Sequence, residues 1–239
     1  MEAGFLNIKK VLSETGPEEG LQYLSSFLGN GVAFSSSLGL EDQVITHWIG
    51  VNRLDLKIFT IDTGRLFQET YDLLDITRKK YDVRIQTYFP DPSGVEALIS
   101  EKGPNSFYDS VKNRKECCYL RKIEPLKRAL SGVSVWITGI RAGQSENRRQ
   151  MEIVEWDETY KVVKYNPLLN WTKDEVMSFI ESNKVPINVL HNKGFPSIGC
   201  APCTRSILPG EDDRAGRWWW ETSNKECGLH DRKQIRSEK

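Results

Sequence analysis

The stretch GVAFSSSLGLEDQVITHWIG, residues 31–50, decides the fold. Its first half is short, apolar and rich in small or β-favouring residues. Its second half repeats Val44, Ile45, Trp48 and Ile49 at helical spacing. A strand therefore runs into a helix through a loop of small residues. Such a junction presents backbone N–H groups and the positive end of a helix dipole, which suits an oxyanion such as phosphate. The candidate contacts are Ser35, Ser36, Ser37, Gly39, Glu41 and Asp42. An ordinary strand-to-helix turn has the same composition, and the Walker A pattern is absent.

Outward from that stretch the pattern recurs. LKIFTID (56–62) is a second strand, and Phe67, Tyr71 and Leu74 then mark an amphipathic helix within residues 65–81. VRIQTYF (83–89) and VSVWITGI (133–140) are a third and a fourth strand. Strands alternating with helices predict an α/β fold, a doubly wound and mostly parallel sheet. Upstream, residues to about Asn30 read as helical, with Ile8, Leu12, Leu21, Leu24 and Leu28 as core contacts. In ECCYLRKIEPLKRAL (116–130), Pro125 demands either a kink or a fresh helix with proline in its first turn. Thr172 and Glu175 form a capping box, which starts a helix running to about Ser182.

Composition excludes several classes. Thirty-three acidic and 33 basic residues balance, so no global field draws the chain to nucleic acid or a membrane. No window approaches the roughly 18 apolar residues of a membrane span, and MEAGFLNIKK lacks the apolar core of a signal peptide. The expected location is the cytoplasm, where cysteines more often bind metal or react than form disulfides.

Two further strand ends carry anion-friendly loops. TIDTGRLFQETY (60–71) offers Asp62, Thr63, Gly64 and Arg65 where open α/β sheets bind ligands, although Asp62 could merely cap the next helix. GIRAGQSENRR (139–149) offers Arg141, Gln144 and Arg148, and guanidinium matches phosphate or sulfate bidentately. A solvated basic loop is the plainer account of that stretch.

The five cysteines divide into an adjacent pair, Cys117 and Cys118, a C-x-x-C, Cys200 and Cys203, and Cys227 alone. Adjacent Cα atoms lie only about 3.8 Å apart, and two such thiolates fit poorly on one tetrahedral zinc. A cubane offers separate irons, and four thiolates suffice for one [4Fe–4S] cluster. Zinc and inert buried thiols are the competing accounts.

Taken together, SSSLGLED, IDTGRLFQETY, CCYLRKIEPL, GIRAGQSENR, PSIGCAPCTR, PGEDDRAGRWWWE and ECGLH resemble the iron–sulfur branch of the sulfonucleotide reductases, the assimilatory adenylyl-sulfate reductases. The match covers most of the chain after about residue 31. It implies an adenine-nucleotide-hydrolase-like α/β fold with a cluster-bearing segment and a C-terminal catalytic tail. The domain organisation expected is a helical segment at 1–30, a nucleotide-binding domain with the cluster ligands at 31–209, and a tail at 210–239. The resemblance implies that Cys117, Cys118, Cys200 and Cys203 hold a [4Fe–4S] cluster and that Cys227 is the nucleophile. Lys122 matches a lysine between cluster and substrate; Arg214, Arg217 and His230 match residues near the substrate and the tail.

The implied reaction is reduction of adenylyl sulfate to sulfite and AMP through an S-sulfocysteine, with thioredoxin or a similar dithiol protein as reductant. Lys225 and a protonated His230 would favour the Cys227 thiolate. Relatives assemble as homo-oligomers. The 3′-phosphorylated nucleotide, alone or alongside adenylyl sulfate, is an alternative substrate. A zinc-stabilised nucleotide-binding module without reductase activity is the alternative from another class. The Glu146–Asn147 pair departs from the small residues or proline common in relatives at that point. Trp218, Trp219 and Trp220 read as a hydrophobic latch for the base of the tail.

Overall fold

The computed structural model describes residues 2–221, with side chains from residue 6 onward. Its elements are α1 (Glu2–Glu14), α2 (Pro17–Leu28), β1 (Val32–Ser35), α3 (Leu40–Val51), β2 (Lys57–Ile61), α4 (Gln68–Tyr81) and β3 (Ile85–Tyr88). There follow α5 (Pro92–Lys102), α6 (Val111–Cys118), α7 (Glu124–Ala129), β4 (Val135–Ile137), β5 (Val154–Asp157), β6 (Val162–Tyr165) and α8 (Lys173–Ser182). Six strands form one sheet in the order β3-β2-β1-β4-β6-β5. β1 pairs parallel with β2 and with β4, and β4 with β6; β5 closes the edge antiparallel to β6. The expected doubly wound, mostly parallel sheet is present. Strand order reverses between β1 and β4, and such a switch point is where open α/β sheets place ligands, beyond the strands' carboxyl ends.

Contacts divide the chain into two compact units. The first comprises residues 1–60, 69–86 and 132–188; the second comprises 61–68, 87–131 and residues from 189 onward. In the first unit the core follows from the sequence pattern. Val32, Phe34, Val135 and Ile137 are buried from two adjacent strands, and Val44, Ile45, Trp48 and Ile49 from α3. Leu12, Leu21 and Leu24 of the first two helices join them, whereas Ile8 and Leu28 pack only partly buried. Trp48, Trp171 and Phe179 meet edge to face, with Trp48 and Trp171 centroids 5.7 Å apart. The capping box starts α8 as expected: Glu175 N–H donates to Thr172 Oγ1 over 3.1 Å and Thr172 N–H to Glu175 Oε2 over 2.6 Å.

Pro125 lies in the first turn of α7, and a π-helical turn over Tyr119–Ile123 separates that helix from α6. Proline has no N–H to lose in a first turn. The π turn rotates the residues after the cysteine pair, and such turns cluster at functional sites. The β5–β6 hairpin was not expected from the strand pattern. Its signal was present in VEWDETYKVVKY, an alternating run broken at Glu158–Lys161, where Lys161 adopts φ 55°. Among the described residues, no helix is long and apolar enough to cross a membrane.

Candidate active site: an anion loop and a cysteine cavity

In the first unit, the loop after β1 is organised by Asp42 of the first turn of α3. Its Oδ2 accepts from Ser37 N–H over 2.6 Å and from the Ser37 hydroxyl over 2.7 Å. The Gly39 amide also bonds this carboxylate. Burial pushes the Asp42 carboxyl up to about 6, the Ser37 and Gly39 donors oppose it, and neighbouring Glu41 adds to it. The Ser35 hydroxyl accepts from the Trp136 indole N–H over 2.8 Å, and the Ser36 hydroxyl from Leu38 N–H over 3.2 Å. All three serine hydroxyls are thus engaged within the unit.

The loop after β4 lies directly against this one. A Cβ on Gly139 would fall 2.1 Å from Asp42 Oδ1, so only glycine permits the approach. Arg141 is buried and donates from Nε to Glu41 Oε1 over 2.6 Å. Arg148 donates to Gln144, whose Oε1 also accepts from Arg141 N–H over 3.1 Å. The first and third sequence motifs therefore form one polar constellation at the switch point, cross-linked by the buried Arg141–Glu41 pair.

In the second unit, Cys117, Cys118, Cys200 and Cys203 line one cavity with Arg65, Phe107, Arg114, Arg121, Lys122, Pro202 and Trp218. Cys117 and Cys118 come from the last turn of α6; Cys200 precedes a short 3₁₀ turn, Ala201–Cys203, that Cys203 ends. The Thr63 hydroxyl lies 3.3 Å from Cys200 Sγ. Arg121 donates to the Thr63 carbonyl over 2.7 Å, and Ala201 N–H to the Arg65 carbonyl over 2.8 Å. Arg65 reaches Pro104 O over 2.6 Å and stacks on Phe107 at 5.1 Å. The D-T-G-R motif thus builds the wall of the cysteine cavity. Asp62 closes a tight turn by accepting from Gly64 N–H over 2.7 Å.

Electrostatics separates the thiols. Burial pushes the Cys200 thiol up, but Lys122, the Thr63 hydroxyl, Arg217 and Arg121 outweigh it and hold the group below the ordinary thiol range. Burial, then the charge of Cys200, pushes Cys203 up to about 12. Burial also raises Cys117, against the pull of Arg121.

The tryptophan run closes this unit. Trp218 is buried with Phe107, Cys200 and Cys203. Two guanidinium groups, those of Arg114 and Arg217, lie over its ring, each 4.8 Å from a centroid. Arg217 also donates to Ser197 Oγ over 3.2 Å, and a Cβ on Gly199 would meet Arg217 Nη2 at 2.3 Å. Trp220 packs on Tyr108 at 4.5 Å, while Trp219 is exposed. Arg214 N–H donates to Asp212 over 2.8 Å, within the turn that precedes Trp218. Arg114, which no quoted motif contains, and Glu221, the final residue of PGEDDRAGRWWWE, form a buried two-point ion pair at 2.7 and 3.0 Å. Cys227, Lys225 and His230 lie outside the described residues.

The donor set fits an iron–sulfur cluster. Among the described residues, no three His, Cys, Asp or Glu side chains converge on one ion position. Four thiols instead line one cavity together with four cations, Arg65, Arg114, Arg121 and Lys122, surroundings that suit the negative charge of a thiolate-bound cluster. Two buried donors on lining side chains, Arg121 Nε and Trp218 Nε1, have no hydrogen-bond partner among the described residues. Sulfur atoms of a cluster are acceptors of that kind.

Comparison with known proteins is consistent across sequence and structure. An adenosine 5′-phosphosulfate reductase from Allochromatium vinosum is 52% identical over 204 residues, 85% of this chain and 80% of its own. A protein of the same name from Rhizobium meliloti is 50% identical over 198 residues, 82% of this chain and 75% of its own. Among solved structures, the phosphoadenylyl-sulfate reductase of Candida auris, a phosphate complex, superposes with a TM-score of 0.71 at 28% identity, covering 87% of this chain and 98% of that one. The match to the phosphoadenosine phosphosulfate reductase domain spans residues 31–206, from β1 through both halves of the cysteine set, and the chain belongs to that family.

Proposed function

We propose that this chain reduces adenylyl sulfate to sulfite and AMP, with Cys227 as nucleophile and a dithiol protein such as thioredoxin as electron donor. The observation that carries the reading is the cation-lined cavity where Cys117, Cys118, Cys200 and Cys203 come together. It stands in a chain half identical to proteins named for this substrate. Those four residues would hold a [4Fe–4S] cluster, which would supply a fixed electrostatic environment near Lys122 and would carry none of the reaction's electrons.

The protein's own residues perform the transfer. The loops of Ser35–Asp42 and Arg141–Arg148 bind the nucleotide's phosphate, and Lys122, with Arg217, offsets charge on the sulfate. The Cys227 thiolate attacks the sulfate sulfur. An S–S bond forms, the anhydride S–O bond breaks, and its electron pair leaves with AMP. One thiolate of the partner then attacks Cys227 Sγ, and the S–S pair departs with sulfite. The partner's second thiol resolves the mixed disulfide and restores Cys227. Two electrons pass from the dithiol to sulfur, and the reaction suits the reducing cytoplasm.

Intact mass spectrometry tests this reading. Parent protein given adenylyl sulfate without reductant should gain one SO₃ group on Cys227, discharged as sulfite by reduced thioredoxin. Cys227→Ser should gain none while keeping its nucleotide affinity, because a hydroxyl is a far poorer nucleophile near neutral pH. A serine variant that still releases sulfite at a comparable rate refutes the assignment. Faster turnover of the 3′-phosphorylated nucleotide would move the substrate, not the mechanism.

A further inference from the structure

A strand-to-helix loop binds an oxyanion through amides that point at the ligand, and in this chain those amides are already taken. From Ser36 to Gly39 each has an acceptor inside the first unit. Ser36 N–H donates to Phe59 O over 2.8 Å and Leu38 N–H to Ser36 Oγ over 3.2 Å. Ser37 donates twice to Asp42 Oδ2, from N–H over 2.6 Å and from the hydroxyl over 2.7 Å. The Gly39 amide bonds the same carboxylate. Asp42 is 6% exposed, and its Oδ1 faces Gly139 of the loop after β4, where a Cβ would fall 2.1 Å away. A carboxylate therefore sits where a bound oxyanion takes its hydrogen bonds. The charged neighbour that acts on it is Glu41, and Arg141 is bonded to Glu41 instead, through Nε over 2.6 Å. The β4 loop offers Asp42 a glycine and the β1–α3 loop offers amides and a hydroxyl. Among the described residues, Asp42 thus has hydrogen-bond donors but no ion-pair partner.

We infer that Asp42 is a specificity-determining residue of the phosphate site: its carboxylate shares the loop's donors with the ligand and selects a phosphoryl group carrying one negative charge over one carrying two. The inference rests on the function proposed above and deepens it, because substrate and product differ in this respect. In adenylyl sulfate one phosphorus oxygen is held in the anhydride, and the phosphoryl group carries a single charge. Once the S–O bond breaks, AMP is a phosphate monoester whose second pKa is about 6. Near neutral pH it carries close to two charges. A phosphoryl oxygen that reaches Ser37 and Gly39 lies within about 4 Å of the Asp42 carboxylate, a separation at which like charges in a buried site repel strongly. Burial pushes the Asp42 carboxyl up to about 6, so it ionises over the same range as the product. Below that range a proton on either partner bridges the two; above it two anions meet. A site built from cations alone prefers the dianion, and its affinity for AMP rises with pH. Here the sign is reversed, so the loop holds substrate and rejects product.

The test is a titration of the full chain, prepared anaerobically, with AMP and with the O-methyl ester of AMP, whose phosphodiester keeps one charge throughout. The ratio of the two affinities cancels every protein group that acts on both alike. Between pH 5.5 and 8 that ratio should move against AMP by about tenfold or more in the parent, one added charge meeting an ionised Asp42. In Asp42→Asn, which keeps an acceptor for Ser37 N–H, the movement should vanish or reverse. That variant should also bind AMP at pH 8 more tightly than the parent does, by about tenfold. If it fails to fold, the pH dependence of the ratio in the parent decides alone. A parental ratio that stays flat or moves towards AMP with rising pH overturns the inference. So does an Asp42→Asn protein that keeps the parental ratio or binds AMP more weakly at pH 8, as expected of a residue that only braces the loop. A parent that binds neither AMP nor its ester refutes the proposed function itself, so the two failures are distinct.

Discussion

Asp42 offers a quantitative test of how the anion loop is held. Its carboxylate is buried, bonded to Ser37 and Gly39, and adjacent to Glu41, with burial raising it from 3.8 to about 6. The sign follows from linkage: the folded protein holds this proton more tightly than the unfolded chain does. Below about pH 4 both states are protonated and the group is neutral in effect. As pH rises through the window between 3.8 and about 6, the unfolded chain ionises first and stability falls. Above that window the loss is complete, and a shift of about two units corresponds to roughly 3 kcal/mol. Close to half of it, about tenfold in the unfolding constant, falls between pH 5 and 7. Asp42→Asn keeps an acceptor for Ser37 N–H and removes the ionisation. Urea unfolding of parent and variant at pH 5, 6, 7 and 8, taken as a difference, cancels every group the two share. The parent should lose stability relative to the variant by that tenfold from pH 5 to 7, then run parallel to it from 7 to 8. A difference independent of pH, or one that grows in the parent's favour with pH, refutes the argument. It would mean that the Ser37 and Gly39 donors outweigh burial and that Asp42 is an ordinary low-pKa cap.

Two more outcomes follow from named contacts. Arg141→Ala should destabilise the first unit by about 3–5 kcal/mol, because it strands the buried Glu41 carboxylate. Arg141→Ala/Glu41→Gln should recover most of that in thermal melts, whereas Lys127→Ala, on an exposed side chain, should change nothing. Iron and acid-labile sulfide should copurify at about four each per chain, as one cubane requires. Cys203→Ser should abolish the visible absorption and most activity, while stoichiometric zinc in active, anaerobically prepared parent would refute the cluster.

Much of the fold could be read before any coordinates, because its signals are local. A strand of small and branched residues at 32–35 followed by helical spacing through Ile49 needs no tertiary context, and the Thr172 capping box is a four-residue pattern. The β5–β6 hairpin escaped since no Asn-Gly or Asp-Gly marks its turn. Arg141 shows a different limit. Its position in a loop after a strand was visible, but its pairing with Glu41, 100 residues away in sequence, was not. Neither were Arg114 and Glu221, separated by 107 positions. Long-range ion pairs leave no periodic trace, and each partner alone looks like a surface charge. The D-T-G-R stretch is intermediate. Its place at a strand's carboxyl end was legible, whereas its bonds to Cys200 and Ala201 depend on a segment more than 130 residues downstream.

The thiols of the second unit are placed by three short constraints rather than by one long element. The end of α6 and a π turn set Cys117 and Cys118 ahead of Arg121 and Lys122. A proline-containing 3₁₀ turn sets Cys200 and Cys203. The Thr63–Arg65 segment ties the two together, taking Arg121 on the Thr63 carbonyl and Ala201 on the Arg65 carbonyl. Arg121 is therefore held by the same segment that contacts Cys200. The thiols split into Cys200, held low by Lys122, Thr63, Arg217 and Arg121 against its burial, and Cys203, pushed up by burial and by the charge of Cys200. A site arranged this way favours one concentrated anionic group over scattered single thiolates. Fixed charges of this kind stabilise charge that develops near them without reorganising. The proposed attack on a sulfate that already carries negative charge would benefit from such a field, which is a physical reason to keep Lys122 and Arg217 near Cys200 and Cys203.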